Sequence, residues 1–256
     1  MKTLLMMTVV AGVGYSQDSG LKARELFYTP PPDASQTKKI APPARKPSTA
    51  VPVANVANTP LGMRYSVMKR DAGGKFAEVD ADSTFRSGDR IRLNVDTNTT
   101  GYLYVVMQGS SGNWSLLFPS SDVEGGNNRI EKGSSQQIPP GDKGQFVFND
   151  QLGTEKLFLV LTRRPEPDLD KLIYSINGSS GAGSERTLMA KATVGNDVVN
   201  RLRDEVKSRD LVFEKVDEIS EPAPDAPVKT EKATYVVNPS RANDAMLVVD
   251  VALKHK

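Results

Sequence analysis

The stretch Gly101–Met107, "GYLYVVM", has no polar face. Drawn out as a strand, it puts Tyr102, Tyr104 and Val106 on one side and Leu103, Val105 and Met107 on the other, because side chains alternate along an extended backbone. Such a strand is stable only in the interior of a sheet that is covered on both sides. The nearly continuous apolar run in "KLFLVLTRR" (Lys156–Arg164) makes the same demand. Both runs therefore suit central strands covered on both sides.

The surrounding pattern supplies candidates. From Gly62 onward, short apolar runs are split by Gly, Asn, Asp, Ser and Pro. "MRYSVMKR" and "KFAEVD" read as the first strands. In "DRIRLNVDT", Ile91, Leu93 and Val95 alternate with Arg92 and Asn94, the signature of a half-buried strand. "NWSLLF", "QFVFND", "LVFEKV", "TYVVN" and "AMLVVDVALKHK" read as strands too. In the last, Leu247, Val249, Val251 and Leu253 should face inward, with Asp250 and Lys254 outward. One helix interrupts the series. In "GNDVVNRLRDEVKSRDL", Val198, Val199, Leu202 and Val206 share a face, with Asn196 or Asp197 as the expected N-cap. The predicted fold class is mainly β: an antiparallel β-sandwich, residues 61–256, with one amphipathic helix at about 196–210 before the C-terminal strands.

The first sixty residues have another texture. Lys2, the apolar run Leu4–Val13 and the small residues Gly14 and Ser16 before Gln17 form the three regions of a cleaved signal peptide, residues 1–16. The run is too short to anchor in a bilayer. The expectation is an exported protein, periplasmic or extracellular, that does not span a membrane after cleavage. Residues 17–60 divide into a short leader, "DSGLKARELFY", and a Pro-rich basic linker. Thr29–Pro60 contains eight of the 17 prolines together with Lys38, Lys39, Arg45 and Lys46, which favours an extended, solvated chain. The leader is too short to be a stable helix alone.

Composition excludes several chemistries. The 256 residues carry 33 basic and 31 acidic side chains, so no general electrostatic case for nucleic acid arises. There is no cysteine and one histidine, His255. Thiolate chemistry, cysteine zinc sites and histidine-based triads have no raw material. The Gly-rich pieces "GSSGN", "EGGNN" and "GSSGAGS" lack the phosphate-loop spacings. Three acidic groups remain as candidates for acid–base or calcium chemistry: Asp80 with Asp82, Asp122 with Glu124, and Glu166, Asp168 and Asp170. Carboxylates in turns more commonly cap backbone. The expectation is no enzyme, no metal and no cofactor.

Trp114, the single tryptophan, follows the turn after Tyr102 and Tyr104. If these rings are exposed they form a binding face for a sugar or a partner; if buried, they are core.

The order "FRSGDRIRL" (Phe85–Leu93), "GYLYV" (Gly101–Val105), "LLFP" (Leu116–Pro119), "NNRIEKG" (Asn127–Gly133) and "GTEKLFLVL" (Gly153–Leu161) resembles a bacterial domain of unknown function, the family numbered 4384. The resemblance spans about residues 65–162. It implies an all-β accessory domain without catalytic residues, found beside protease or kinase domains or in exported envelope proteins. The functional expectation is an exported, non-catalytic β-sandwich module that makes protein or cell-envelope contacts. The alternative is a carbohydrate- or small-ligand-binding sandwich using Trp114 and the neighbouring tyrosines.

Overall fold

The strand that opens the sequence argument, Gly101–Gln108, lies in the interior of a sheet between Trp114–Phe118 and Gly153–Thr162. The computed structural model describes residues 22–29, 59–108, 112, 114–119, 126–171, 193–207, 211–220 and 229–256. The expected signal peptide 1–16, the start of the expected leader and the expected linker at 30–58 lie outside them. So do Asp122, Glu124 and the Gly-rich stretch at 178–184.

In chain order the strands are β1 (Leu61–Arg70), β2 (Phe76–Val79), β3 (Thr84–Phe85), β4 (Arg90–Thr97), β5 (Gly101–Gln108), β6 (Trp114–Phe118) and β7 (Arg129–Ile130). They continue as β8 (Ser135–Ile138), β9 (Phe146–Val147), β10 (Gly153–Thr162), β11 (Thr193–Val194), β12 (Val212–Ser220), β13 (Lys229–Asn238) and β14 (Met246–His255). The helices are α1 (Ala23–Tyr28) and α2 (Asn196–Lys207).

Two sheets stack as a sandwich. The first runs β12-β13-β1-β4-β8, with β2 on β1 and β9 on β4; the second runs β11-β6-β5-β10-β14-β3, with β7 on β5. All pairings are antiparallel except a short parallel one, in which Lys254 and His255 of β14 meet Thr84 and Phe85 of β3. The last strand is thus built into the sheet: Leu247, Val249, Val251 and Leu253 are buried, and Asp250 and Lys254 are exposed.

Alternation along each strand divides the apolar side chains among three clusters. Between the sheets, Met63, Val67, Ile91, Leu93, Leu103, Val105, Leu159 and Leu161 fill the central core. On the outer face of the second sheet, Tyr104, Val106, Trp114, Phe158 and Val160 are covered by Val199, Leu202 and Val206 of α2. On the outer face of the first sheet, Val216, Ala233, Tyr235 and Val237 are covered by Ala23 and Phe27 of α1. The order of layers is α1, sheet, sheet, α2. The apolar residues of β5 on both faces, unexplained by one sheet, are accounted for by the second sheet on one side and α2 on the other.

The cap of α2 lies at Gly195, one residue before the first expected cap, Asn196. The Val199 amide bonds the Gly195 carbonyl at 3.3 Å, so both Asn196 and Asp197 fall inside the first turn and Asn196 is free to point its amide elsewhere. In the "SGD" turn, Gly88 takes φ 84°, which favours glycine, and Asp89 accepts the Arg86 amide at 2.9 Å.

Candidate functional site

The three rings named from sequence do not form one exposed wall. Tyr104 is completely buried and Trp114 is 3% exposed. α2 lies over both, and the Arg203 guanidinium sits 5.4 Å from the Trp114 ring centre and 5.0 Å from that of Phe158. Tyr104 is locked by two bonds: its hydroxyl accepts the Glu166 amide at 2.8 Å and donates to Asp170 at 2.5 Å. Burial, and then the bond to Asp170, push its ionisation well above the ordinary tyrosine range. The binding face of Tyr102, Tyr104 and Trp114 is therefore corrected: the latter two are the floor beneath a helix that sequence alone could not place there. Tyr102 alone stays half-buried, at the edge of a separate cavity.

The acidic candidates among the described residues are engaged in structure. Asp80 and Asp82 both hold Lys215 at 2.6 Å. Arg201 of α2 holds Glu166 and Asp168, each at 2.8 Å, and Glu205 at 2.7 Å. That clamp fixes the helical turn at 167–171 to α2. Among the described residues, no group of three or more acidic, histidine or cysteine side chains is placed to hold a metal ion. Likewise, none of the described helices is long and apolar enough to cross a membrane.

The leader supplies a feature the sequence left open. α1 has six residues and holds its shape by docking. Its Arg24 amide bonds Glu214 at 2.9 Å, and its guanidinium reaches Glu218 at 2.7 Å and Glu231 at 3.0 Å. Phe27 packs edge-on against Tyr235 with ring centres 5.3 Å apart. The Tyr235 hydroxyl donates to Glu231 at 2.6 Å and lies 3.2 Å from that of Tyr28. Both ends of the Pro-rich segment are thereby held on the sandwich: Thr29 closes α1, and the Thr59 carbonyl accepts a bond from Arg163.

α1 lies over β13 and the flanking parts of β12 and β1. Beside it runs a groove of about 910 Å³ lined by Phe27, Tyr28, Met68 and Phe76, with Arg64 and Glu231 among its polar walls. Arg64 binds Glu78 at 2.7 Å and Asp96 and Glu231 at 3.0 Å each. Burial pushes the Glu231 carboxyl up, but the Tyr235 hydroxyl and the Arg64 guanidinium outweigh it and hold the group below its ordinary value. Tyr28, Met68 and Phe76 give the groove patches of aromatic and thioether surface between charged groups that are paired with one another. Sequence reasoning missed it because its walls come from α1, β1, β2, β4 and β13, which no local pattern brings together.

Comparison with known families bears on the sandwich itself. Residues 84–165 match a family model, Domain of unknown function (DUF4384). The DUF4384 match takes in β3 to β10, so it starts later than the span of about 65–162 suggested by the motifs, which also included β1 and β2. The remaining strands complete both sheets around it. β14 is inserted between β10 and β3, and β1 joins β4 to β13. No curated protein and no solved structure matches the chain.

Proposed function

We propose that this protein is an exported, non-catalytic accessory module that docks an extended segment of a cell-envelope protein in the groove beside α1. The observation that carries this reading is the groove itself. Its rings and thioether offer apolar contact, and its charged groups are already satisfied, so an occupant with an aliphatic or aromatic anchor and few charges fits best. Export rests on the N-terminal pattern of Lys2, Leu4–Val13, Gly14 and Ser16. The sugar-binding alternative loses its main support, because the Trp114 ring lies beneath α2.

The test is a photo-crosslinking residue at Tyr28, which is 63% exposed, in the full chain expressed in its own cells. A discrete crosslinked protein should form, should be absent with the crosslinker at the exposed Leu152, and should vanish when Phe76→Asp is added. The same products from both positions would remove the docking reading. N-terminal sequencing of the recovered protein should start at Gln17; a retained Met1 would remove export.

A further inference from the structure

At the other candidate location, three arginines converge on one cavity of about 360 Å³. It lies where β5 begins and β10 ends, beneath the turn between β13 and β14. Thr100, Tyr102, Arg129, Arg163, Arg164 and Asn243 line it. The convergence follows from strand register. Tyr102 faces Arg129 across the β5–β7 pairing and Thr162 across the β5–β10 pairing, so Arg163 and Arg164 follow at once on the same end of the sheet. Among the described residues lining the cavity there is no acidic side chain.

Elsewhere in the molecule Arg64 and Arg201 each bind three carboxylates. Here one neighbouring acid is Glu131, outside the lining. It pairs with Arg129 and accepts the Thr100 hydroxyl. This ion pair is half-exposed on both sides, and such pairs are weak and screened by salt. Arg163 donates to the Thr59 carbonyl, and its burial disfavours the charged form. The guanidinium fork matches the paired oxygens of a phosphoryl or carboxylate group. Tyr102 adds an aromatic wall, and Thr100 and Asn243 add neutral polar groups at the rim.

We infer that this cavity is an oxyanion site, built to take a phosphoryl or carboxylate group of a small ligand between Arg129, Arg163 and Arg164 against Tyr102. It is separate from the groove beside α1, and neither reading depends on the other.

Calorimetric titration of the full mature chain with inorganic phosphate, and in a second arm with acetate, tests it. Ionic strength is held constant with sodium chloride, which separates a site from general charge attraction. Saturable one-site binding of at least one of the two anions is expected. Arg164→Gln and Arg129→Gln should each weaken it about tenfold or more, the loss of a charge-assisted hydrogen bond. Lys143→Gln, an exposed charge outside the cavity lining, should leave it unchanged. Arg164 is exposed, so its substitution leaves the fold intact; unchanged tryptophan emission confirms that. The proposal is overturned if neither anion binds above chloride, or if Lys143→Gln weakens binding as much as Arg164→Gln does.

Discussion

The Trp114 indole N–H donates to the side-chain oxygen of Asn196 at 2.9 Å, tying β6 to the first turn of α2. The bond joins residues 82 positions apart and occupies the Asn196 side-chain oxygen, so Gly195 rather than an asparagine stands at the cap of α2. Trp114→Phe should keep most of the packing and lose this bond, costing about 1 kcal/mol. Trp114→Ala should cost about 3–5 kcal/mol, since it empties space beneath α2. Denaturant unfolding measures both. Because Trp114 is the single tryptophan and is buried, its emission should be blue-shifted in the native state and move to the red on unfolding. A native emission already at the solvent-exposed wavelength would contradict this placement.

Phe27 is the apolar anchor of α1. Phe27→Ala should undock the helix locally rather than unfold the sandwich, because six residues cannot hold a helix without the sheet beneath. The amide of Leu26, which bonds the Lys22 carbonyl at 3.0 Å, should lose its protection from hydrogen exchange. Amides of β5 and β10 should keep theirs. Exposure of Tyr235 and Val237 should raise binding of a hydrophobic dye. Equal loss of protection in α1 and β5 would mean that the leader and sandwich unfold as one unit.

Glu231 gives the molecule a defined acid sensitivity. Its carboxyl is held below the ordinary value of 4.5 in the folded protein. A group depressed in this way contributes stability above its unfolded value, and that contribution is lost as pH falls through the folded value. Stability measured from about pH 6 down to about pH 3 should therefore decline below about 4.5, and Glu231→Gln should flatten part of the decline. The remainder belongs to groups such as Asp89, where burial is outweighed by Lys69 at 2.6 Å and the Arg86 amide. An identical pH profile for the variant would show that Arg64 and Tyr235 do not stabilise its charge.

The sandwich was legible because its strands obey local rules. β4 and β14 alternate as their sequences read, and β5 needs two covered faces and has them. The short strands β3, β7, β8 and β11 carry too little period to be seen, whereas β2 and β9 are as short but lie in the apolar runs "KFAEVD" and "QFVFND". β13 begins at Lys229, inside "SEPAPDAPVKTEK" (Ser220–Lys232), which reads as a Pro-rich charged loop, because pairing with β12, Ser220 opposite Lys229, overrides local composition. The misjudged rings have a related cause. Alternation showed that Tyr104 shares a face with Tyr102, but nothing local shows that α2 folds back over that face. The arginine cavity was partly within reach. Pairing "GYLYVVM" antiparallel with "KLFLVLTRR" sets Tyr102 beside Thr162 and brings Arg163 and Arg164 to it. Arg129 was not, since it arrives on the two-residue strand β7.

That register makes Gly101 a sensitive point for both fold and cavity. A Cβ built at Gly101 would lie 2.6 Å from the Thr162 carbonyl oxygen, a backbone atom that cannot turn aside. The strand start and the β10 end approach this closely because glycine has no side chain there. Gly101→Ala should therefore push the two backbones apart and cost about 1–3 kcal/mol, as overpacking does. The displacement falls at the residue preceding Arg163 and Arg164, so phosphate or acetate binding should weaken in the folded variant as well. Unfolding curves and anion titrations on the same sample separate the two effects. Full stability with full binding would mean that the strand ends are looser than this contact requires.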